Sequence, residues 1–315
     1  MRAIVAGSVS FDSIMNFPGL FADRIMTDKI HRISLSFLVY KLTKQLGGTA
    51  TNISYTLKLL DVEPIMVATA GKDFSELGRF LRKHKISTEH ISIHRNVSTS
   101  TYFVITDKED NQIGSFYVGA QKYAAKISLQ KLGVINADDF VVIAPTDPAA
   151  MKNYVRECKN LNLPYFYDPA FQIATFSPSE LREGIEGAKI LIGNDYEIAL
   201  IEDRLGISHE ELVVMVPVLV TTLGSKGATV ETRTDSIYIK PAKTKSVIDP
   251  TGAGDAFRAG FIAGYLRGYD LQICGQMGSV AAVYTVEKYG TVTHRFSKKD
   301  FLERYKENFA SEIKL

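Results

Sequence analysis

The sequence predicts an α/β fold, with a mostly parallel central sheet covered on both faces and a small β-sheet lid over one end. Three observations predict it. Short, nearly all-apolar runs at residues 2–7, 64–70 and 140–144 alternate with helical patterns, as strands buried on both faces do. These runs stop at Gly or Pro, so the chain turns at the strand ends. Two segments, about 12–44 and 96–118, break the rhythm with strand-like pieces and no crossover helix, and these are expected to build the lid.

Each element follows from local pattern. Residues 2–7 form the first strand and end at Gly7. Residues 17–25 are turn-rich and 31–35 partly alternate. Gly47 and Gly48 precede a helix over 49–60, with Ile53, Leu57 and Leu60 on one side. A strand over 64–70 ends at Gly71 and Asp73, and 74–84 reads as helix. The polar stretch 107–111 separates strands at 101–106 and 112–118, the pattern of a hairpin. A strand at 140–144, a helix at 152–159 and a strand at 164–167 follow, the last ending at Asp168-Pro169. Next come a strand at 189–192, a helix at 196–205, a strand at 216–223 and a hairpin pairing 228–232 with 236–239. Residues 251–267 and 273–286 are two helices rich in Gly and Ala. Residues 300–315 read as an amphipathic helix, with Phe301, Leu302, Tyr305, Phe309 and Ile313 on one side, packed on the domain. No repeat stands out and no Pro-, Gly- or Ser-rich linker divides the chain, so residues 1–315 are read as one domain.

Composition narrows the function. The chain has 315 residues, and 37 Lys and Arg against 35 Asp and Glu leave a net charge of +2, which argues against a broadly basic nucleic-acid binder. Two cysteines, Cys158 and Cys274, cannot build a disulfide scaffold, and a reducing cytoplasm is expected. The start, Met1-Arg2-Ala3-Ile4-Val5-Ala6-Gly7, reads as a buried strand rather than a signal peptide. The apolar stretch 212–220, broken by Pro217, is far short of the roughly 20 residues a membrane span needs. The histidines, at 31, 84, 90, 94, 209 and 294, show no metal-binding spacing.

Ligands of such folds gather at the carboxyl ends of the strands. Polar clusters sit there at 8–12, 71–73, 168, 194–197 and 224–227. The most informative run is Asp249-Pro250-Thr251-Gly252-Ala253-Gly254-Asp255-Ala256-Phe257-Arg258-Ala259-Gly260. Pro250 and the glycines mark a turn, and the free amides of the helix that follows form an anion site. Asp255 falls in the first helical turn. A carboxylate there either favours the positive helix end or serves as a base aimed at a hydroxyl beside a bound phosphoryl group. No Gly-x-x-x-x-Gly-Lys-Ser/Thr loop occurs, and no Gly-x-Gly-x-x-Gly follows the first strand, which disfavours the P-loop and dinucleotide classes.

The run 249–257 resembles the C-terminal signature of the ribokinase-like (PfkB) small-molecule kinases. Gly47-Gly48 with Asn52 is similar to their N-terminal signature, Asn194 with Glu197 to their Asn-x-x-Glu element, and Thr222-Leu223-Gly224-Ser225-Lys226-Gly227 to their nucleotide-side turn. The four occur in the family's order across nearly the whole chain. A closer resemblance is to the bacterial adenosine kinases, carried by 12–19, 31–39, 115–117, 194–197 and 255–261.

The resemblance implies a ribokinase-like three-layer α/β/α domain and transfer of the γ-phosphoryl of ATP to the 5′-hydroxyl of adenosine. It implies that Asp255 is the base, with Gly252, Ala253 and Gly254 offering amides to the phosphoryl oxygens. Asp12, Gly48 and Asn52 would face the sugar; Asp12 otherwise reads as a turn cap and Asn52 as a polar helix-start residue. Tyr102 and Phe116 would clamp the base or, alternatively, fill the lid core. Gln172 would reach the sugar or base. Asn194, Thr222, Gly224, Lys226 and Gly227 would lie beside the nucleotide, although Lys226 also reads as a solvated turn lysine. Asn194 and Glu197 would organise Mg2+ through water, and their spacing equally fits a capping box. Arg258 would add charge near the phosphates or pair with Asp255 along the helix. The resemblance leaves dependence on a monovalent cation such as K+ open, and the dimeric bacterial relatives imply a homodimer through the lid. The competing readings are a kinase of the same fold acting on ribose, fructose or another nucleoside, and a non-catalytic nucleoside-binding protein.

Overall fold

The computed structural model describes residues 2–25, 34–109, 111–133, 135–136 and 138–315. Part of the first lid excursion, including His31, lies outside the described residues. Among the described residues, seven strands form the parallel body of the main sheet: β1 (Arg2–Ala6), β4 (Glu63–Gly71), β5 (Ile91–His94), β8 (Phe140–Ile143), β9 (Tyr165–Tyr167), β10 (Ile190–Asn194) and β11 (Val218–Thr222). The antiparallel hairpin of β12 (Ala228–Glu231) and β13 (Ser236–Ile239) closes one edge, giving the order β13-β12-β11-β10-β9-β8-β1-β4-β5.

Alternation along β1 shows why helices cover both faces. Ala3 and Val5 enter one core with α1 (Thr49–Leu59), α2 (Ser75–Lys83), α7 (Ala253–Leu266), α8 (Leu271–Val286) and α9 (Lys298–Phe309). Ile4 and Ala6 enter the other with α3 (Pro148–Asn160), α4 (Pro178–Glu186), α5 (Asp195–Leu205) and α6 (His209–Met215). A strand's side chains alternate between faces, so an unbroken apolar strand needs a partner on each side. The Gly and Ala content of α7 and α8 has a packing cause. A Cβ on Gly260 would lie 2.5 Å from the Met277 carbonyl, so these two helices touch at their backbones.

Among the described residues the lid is a four-stranded sheet in the order β3-β2-β6-β7, from β2 (Ser10–Asn16), β3 (Lys41–Gly47), β6 (Ser100–Thr106) and β7 (Gln112–Tyr117). The expected hairpin pairs β6 with β7, while β2 runs parallel to β6 and antiparallel to β3. Strands β2, β3 and β5, helices α4 and α6, and a 3-10 helix at Gly119–Lys126 were not resolved as elements by the sequence pattern. The apolar stretch 212–220 divides into the end of α6 and β11.

Candidate active site

The amino end of α7 is the centre of the site. Gly252 precedes the helix at φ 80°, a left-handed conformation that L side chains avoid, and a side chain there would also press on Thr291. Asp249 braces the turn: its carboxylate accepts from the Thr251 amide at 2.9 Å and the Gly290 amide at 3.0 Å. Of the three residues expected to supply amides, Ala253 has its N–H on the Pro250 carbonyl at 3.1 Å. The amides of Gly252, Gly254 and Asp255 lie at the helix start, where no helical carbonyl is available to accept them, and the helix dipole adds to their attraction for an anion.

Asp255 stands in that first turn with its Oδ2 accepting a 2.7 Å hydrogen bond from Asn52 Nδ2. Burial raises its pKa, with Glu197 adding to the rise, while Arg258 and the Asn52 bond oppose it. Asn52 thus touches the carboxylate, and its own Oδ1 is buried and unpartnered among the described residues. Gly48, at φ 91°, caps α1 and places Asn52 one turn into the helix.

Asp12 is not in a turn after the first strand. It sits on lid strand β2, because the short link of residues 7–9 already returns the chain into β2. Its carboxylate lies against Gly47, where a Cβ would come within 2.7 Å of Oδ2. Burial, then the charges of Asp255 and Asp249, raise its pKa to about 6. In register, Gln45, Asp12, Tyr102 and Phe116 form one row across β3, β2, β6 and β7. Paired residues project to the same side of a sheet, so both aromatics share the face of Asp12. Both are exposed and so do not fill a lid core.

Beneath this lies a pair that the sequence reading did not assemble. Asp168, at the carboxyl end of β9 with 0% exposure, accepts from Arg258 Nη2 at 2.9 Å and meets its Nε at 2.5 Å. Arg258 therefore pairs with Asp168 rather than running along its own helix to Asp255. It also passes close to Gly254, where a Cβ would lie 2.7 Å from Nη1. Burial raises the Asp168 pKa to about 6 against the pull of Arg258, whereas Asp168 and Asp255 together overcome the burial of Arg258 and hold its charge more firmly. The clue in the sequence was an acid immediately after an apolar strand. Gln172 is held within the protein: its Nε2 donates to the Thr146 carbonyl at 2.7 Å and its Oε1 accepts from Thr175.

On the other side of the α7 start is a cavity of about 320 Å³ lined by Thr222, Gly224, Gly227, Ala253 and Gly254 from the expected residues. The sequence reading missed much of its remaining wall, which includes Ala242, Thr244 and Val247 ahead of α7 and the α8 face at Ser279, Ala282, Val283 and Val286. Apolar positions on a buried helix carry no mark that separates a pocket wall from core. Lys226 does not line the cavity; it ends the short 3-10 turn Gly224–Lys226, exposed, with its carbonyl taken by Tyr238. Asn194 and Glu197 form a complete capping box at the start of α5: each side chain accepts the other's amide at 2.8 Å. Strand register sets Asn194 beside Thr222. No group of three or more His, Cys, Asp or Glu among the described residues could enclose a metal ion. Magnesium, which retains several waters, could be held by Glu197 through its water shell without such a cage.

The arrangement thus offers a carboxylate, an anion-binding helix start, an apolar cavity on one side and a carboxylate–aromatic row on the other. A profile of the pfkB family carbohydrate kinases matches residues 6–298. A nucleoside kinase of Methanocaldococcus jannaschii is 31% identical over 269 residues, covering 85% of this chain and 87% of that protein. A nucleoside kinase of Methanothermobacter thermautotrophicus is 31% identical over 294 residues, covering 92% and 91%. The structure of Burkholderia thailandensis nucleoside kinase in complex with inosine superposes with a TM-score of 0.89 at 29% identity, covering 99% of both chains.

Proposed function

The chain belongs to the pfkB family of carbohydrate kinases, and from that premise we propose that it is a nucleoside kinase that phosphorylates the 5′-hydroxyl of adenosine with ATP. The observation that carries the nucleoside reading is the register row of Asp12, Tyr102 and Phe116 on the lid face whose carboxylate feels Asp255. A carboxylate accepts two hydrogen bonds from a ribose diol, and flat rings give stacking area to a base. A free sugar would leave both rings in water. The names of the relatives support the same class, and the Burkholderia complex makes inosine the competing substrate.

In this reading Asp255 accepts the proton of the 5′-hydroxyl, and Asn52 aims its carboxylate. The unpartnered Asn52 Oδ1 is available to a sugar hydroxyl. The amides of Gly252, Gly254 and Asp255 stabilise the negative charge of the transferring group, in line with the attacking oxygen. The cavity between α7, α8 and the Gly224–Lys226 turn would hold ATP, and Glu197 would hold Mg2+ through water, the ion supplying charge neutralisation to the phosphates. The cytoplasm is the enzyme's proposed location. The reverse face of the lid exposes Leu42, Phe103, Ile113 and Tyr117, and we place a homodimer contact there.

The test is purified protein with ATP and Mg2+, assayed in parallel on adenosine, inosine, guanosine, ribose and fructose. Adenosine should give the highest kcat/KM. Preference for inosine would move the substrate within the class, and preference for a free sugar would overturn the nucleoside reading.

A further inference from the structure

The donor-side cavity is walled in part by a segment with no regular structure. Residues 240–252 link β13 to α7, and Ala242, Thr244 and Val247 face the cavity. Val247 is 70% exposed, and the segment makes no strand ladder that would fix it. Its position depends on bonds from α8 and α9. Ser279 Oγ accepts the Ala242 amide at 2.7 Å, and Asn308 Oδ1 accepts the Lys243 amide at 2.7 Å. The Val286 carbonyl accepts the Ile248 and Asp249 amides at 2.9 and 3.2 Å.

The centre of this set is one ion pair. Glu287, just past α8, accepts the Lys245 amide at 2.6 Å and the Thr244 hydroxyl at 3.2 Å. The same carboxylate receives both terminal nitrogens of Arg304 from α9, at 2.9 and 2.5 Å. Arg304 in turn donates to the Lys243 carbonyl at 3.0 Å and lies over the Tyr284 ring at 4.6 Å. Both side chains are about nine-tenths buried. A bidentate guanidinium–carboxylate pair has one geometry, unlike a flexible lysine contact, so it fixes what it touches. Burial alone would raise the Glu287 pKa; the bonds from Arg304, the Lys245 amide and Thr244 outweigh it and bring it down to about 2, so the pair stays charged at any working pH.

We infer that Arg304 and Glu287 are positioning residues for the donor nucleotide, holding residues 243–247 as the outer wall of its pocket without lining it themselves. The inference rests on the reading of that cavity as the ATP site. It predicts a split between the two substrates. Arg304→Ala and Glu287→Gln should each raise the KM for ATP about tenfold, with kcat and the KM for the nucleoside changed less than about twofold. Arg304→Lys should recover only part of the loss, since a lysine cannot reach both carboxylate oxygens and the Lys243 carbonyl together.

The experiment is steady-state kinetics on the three variants, with calorimetric titration of ADP and of the nucleoside into the same proteins. Glu287→Gln is the same size as the native residue and guards against a result that reports only misfolding. Equal weakening of both ligands would mean a general loss of structure and would overturn the inference, as would an unchanged ADP affinity. Ala282→Phe in the unmutated background separates the premise: it fills the cavity and should abolish ADP binding. Undiminished ADP binding in that variant would sink the cavity assignment itself, independently of Arg304 and Glu287.

Discussion

The two sides of the α7 start are built from opposite materials. On the donor side the expected ligand is highly charged, yet the wall is uncharged, mostly apolar side chains and backbone with the hydroxyls of Thr222, Ser225, Thr244 and Ser279, and binding of anions is left to free amides. On the acceptor side the expected ligand is neutral, yet the wall holds carboxylates, Asp12 and Asp255, close enough that the charge of Asp255 adds to the raised pKa of Asp12. The contrast has a physical logic. Amides hold a phosphoryl group without carrying a full charge that would bind reactant and product too tightly. Carboxylates accept hydroxyl hydrogen bonds and can take a proton, which amides cannot. Arg258 lies under the seam and offsets part of the acidic cluster through Asp168.

The largest test of this comparison strikes the seam. Asp255→Asn should lower kcat about 10³-fold while nucleoside binding by calorimetry stays largely intact. Retention of most turnover would remove Asp255 as the base. Next in size is the support beneath: Arg258→Met leaves Asp168 buried and unpaired, and should destabilise the fold by about 3 kcal/mol in urea unfolding. A loss below about 1 kcal/mol would show the pair to be dispensable.

Smaller effects should stay on one side. Tyr102→Ala should raise the nucleoside KM by about 1–2 kcal/mol equivalent, as loss of base stacking does, and leave the KM for ATP unchanged. A matching change for ATP would blur the two sides. The last test is pH. Asp12 has a pKa raised to about 6, so its carboxylate is present at pH 7 and is neutralised as pH falls through that value. Nucleoside KM should therefore rise as pH drops from 7 to 5, by about tenfold for each unit below 6, and Asp12→Asn should flatten the rise. The sign for stability is opposite: the folded chain holds this proton more tightly than the unfolded one, so the Asp12 contribution falls as pH rises from about 4 to about 6.

Much of the fold was legible because apolar runs and glycine stops are local signals. Strands β1, β4, β8 and β11 and helices α1, α7 and α8 lie where hydrophobic pattern and turn chemistry put them. Strands β2 and β3 were harder to see. They carry Asp12, Ser13, Lys41, Lys44 and Gln45 on a sheet with one face toward a cleft and one toward solvent, so apolar alternation is weak. Helices α4 and α6 are short and polar, and their Ser caps, complete as capping boxes at Ser177 and Ser208, were the signal that could have found them.

The sequence by itself determined the turns that bracket the chemistry: Gly47-Gly48, the 224–227 turn and the 252–254 helix start. Each depends on a residue's own backbone freedom or on neighbours within one helical turn. Only the tertiary structure decided the partners. Asn52 meets Asp255 from 203 positions away, Arg258 chooses Asp168 over its helix neighbour, and Glu287 and Arg304 reach a strap that neither helix contains. Such contacts join side chains far apart in the chain that meet because their helices pack side by side on one face of the sheet or over a strand end, and a hydrogen bond has no periodicity along the chain to announce it.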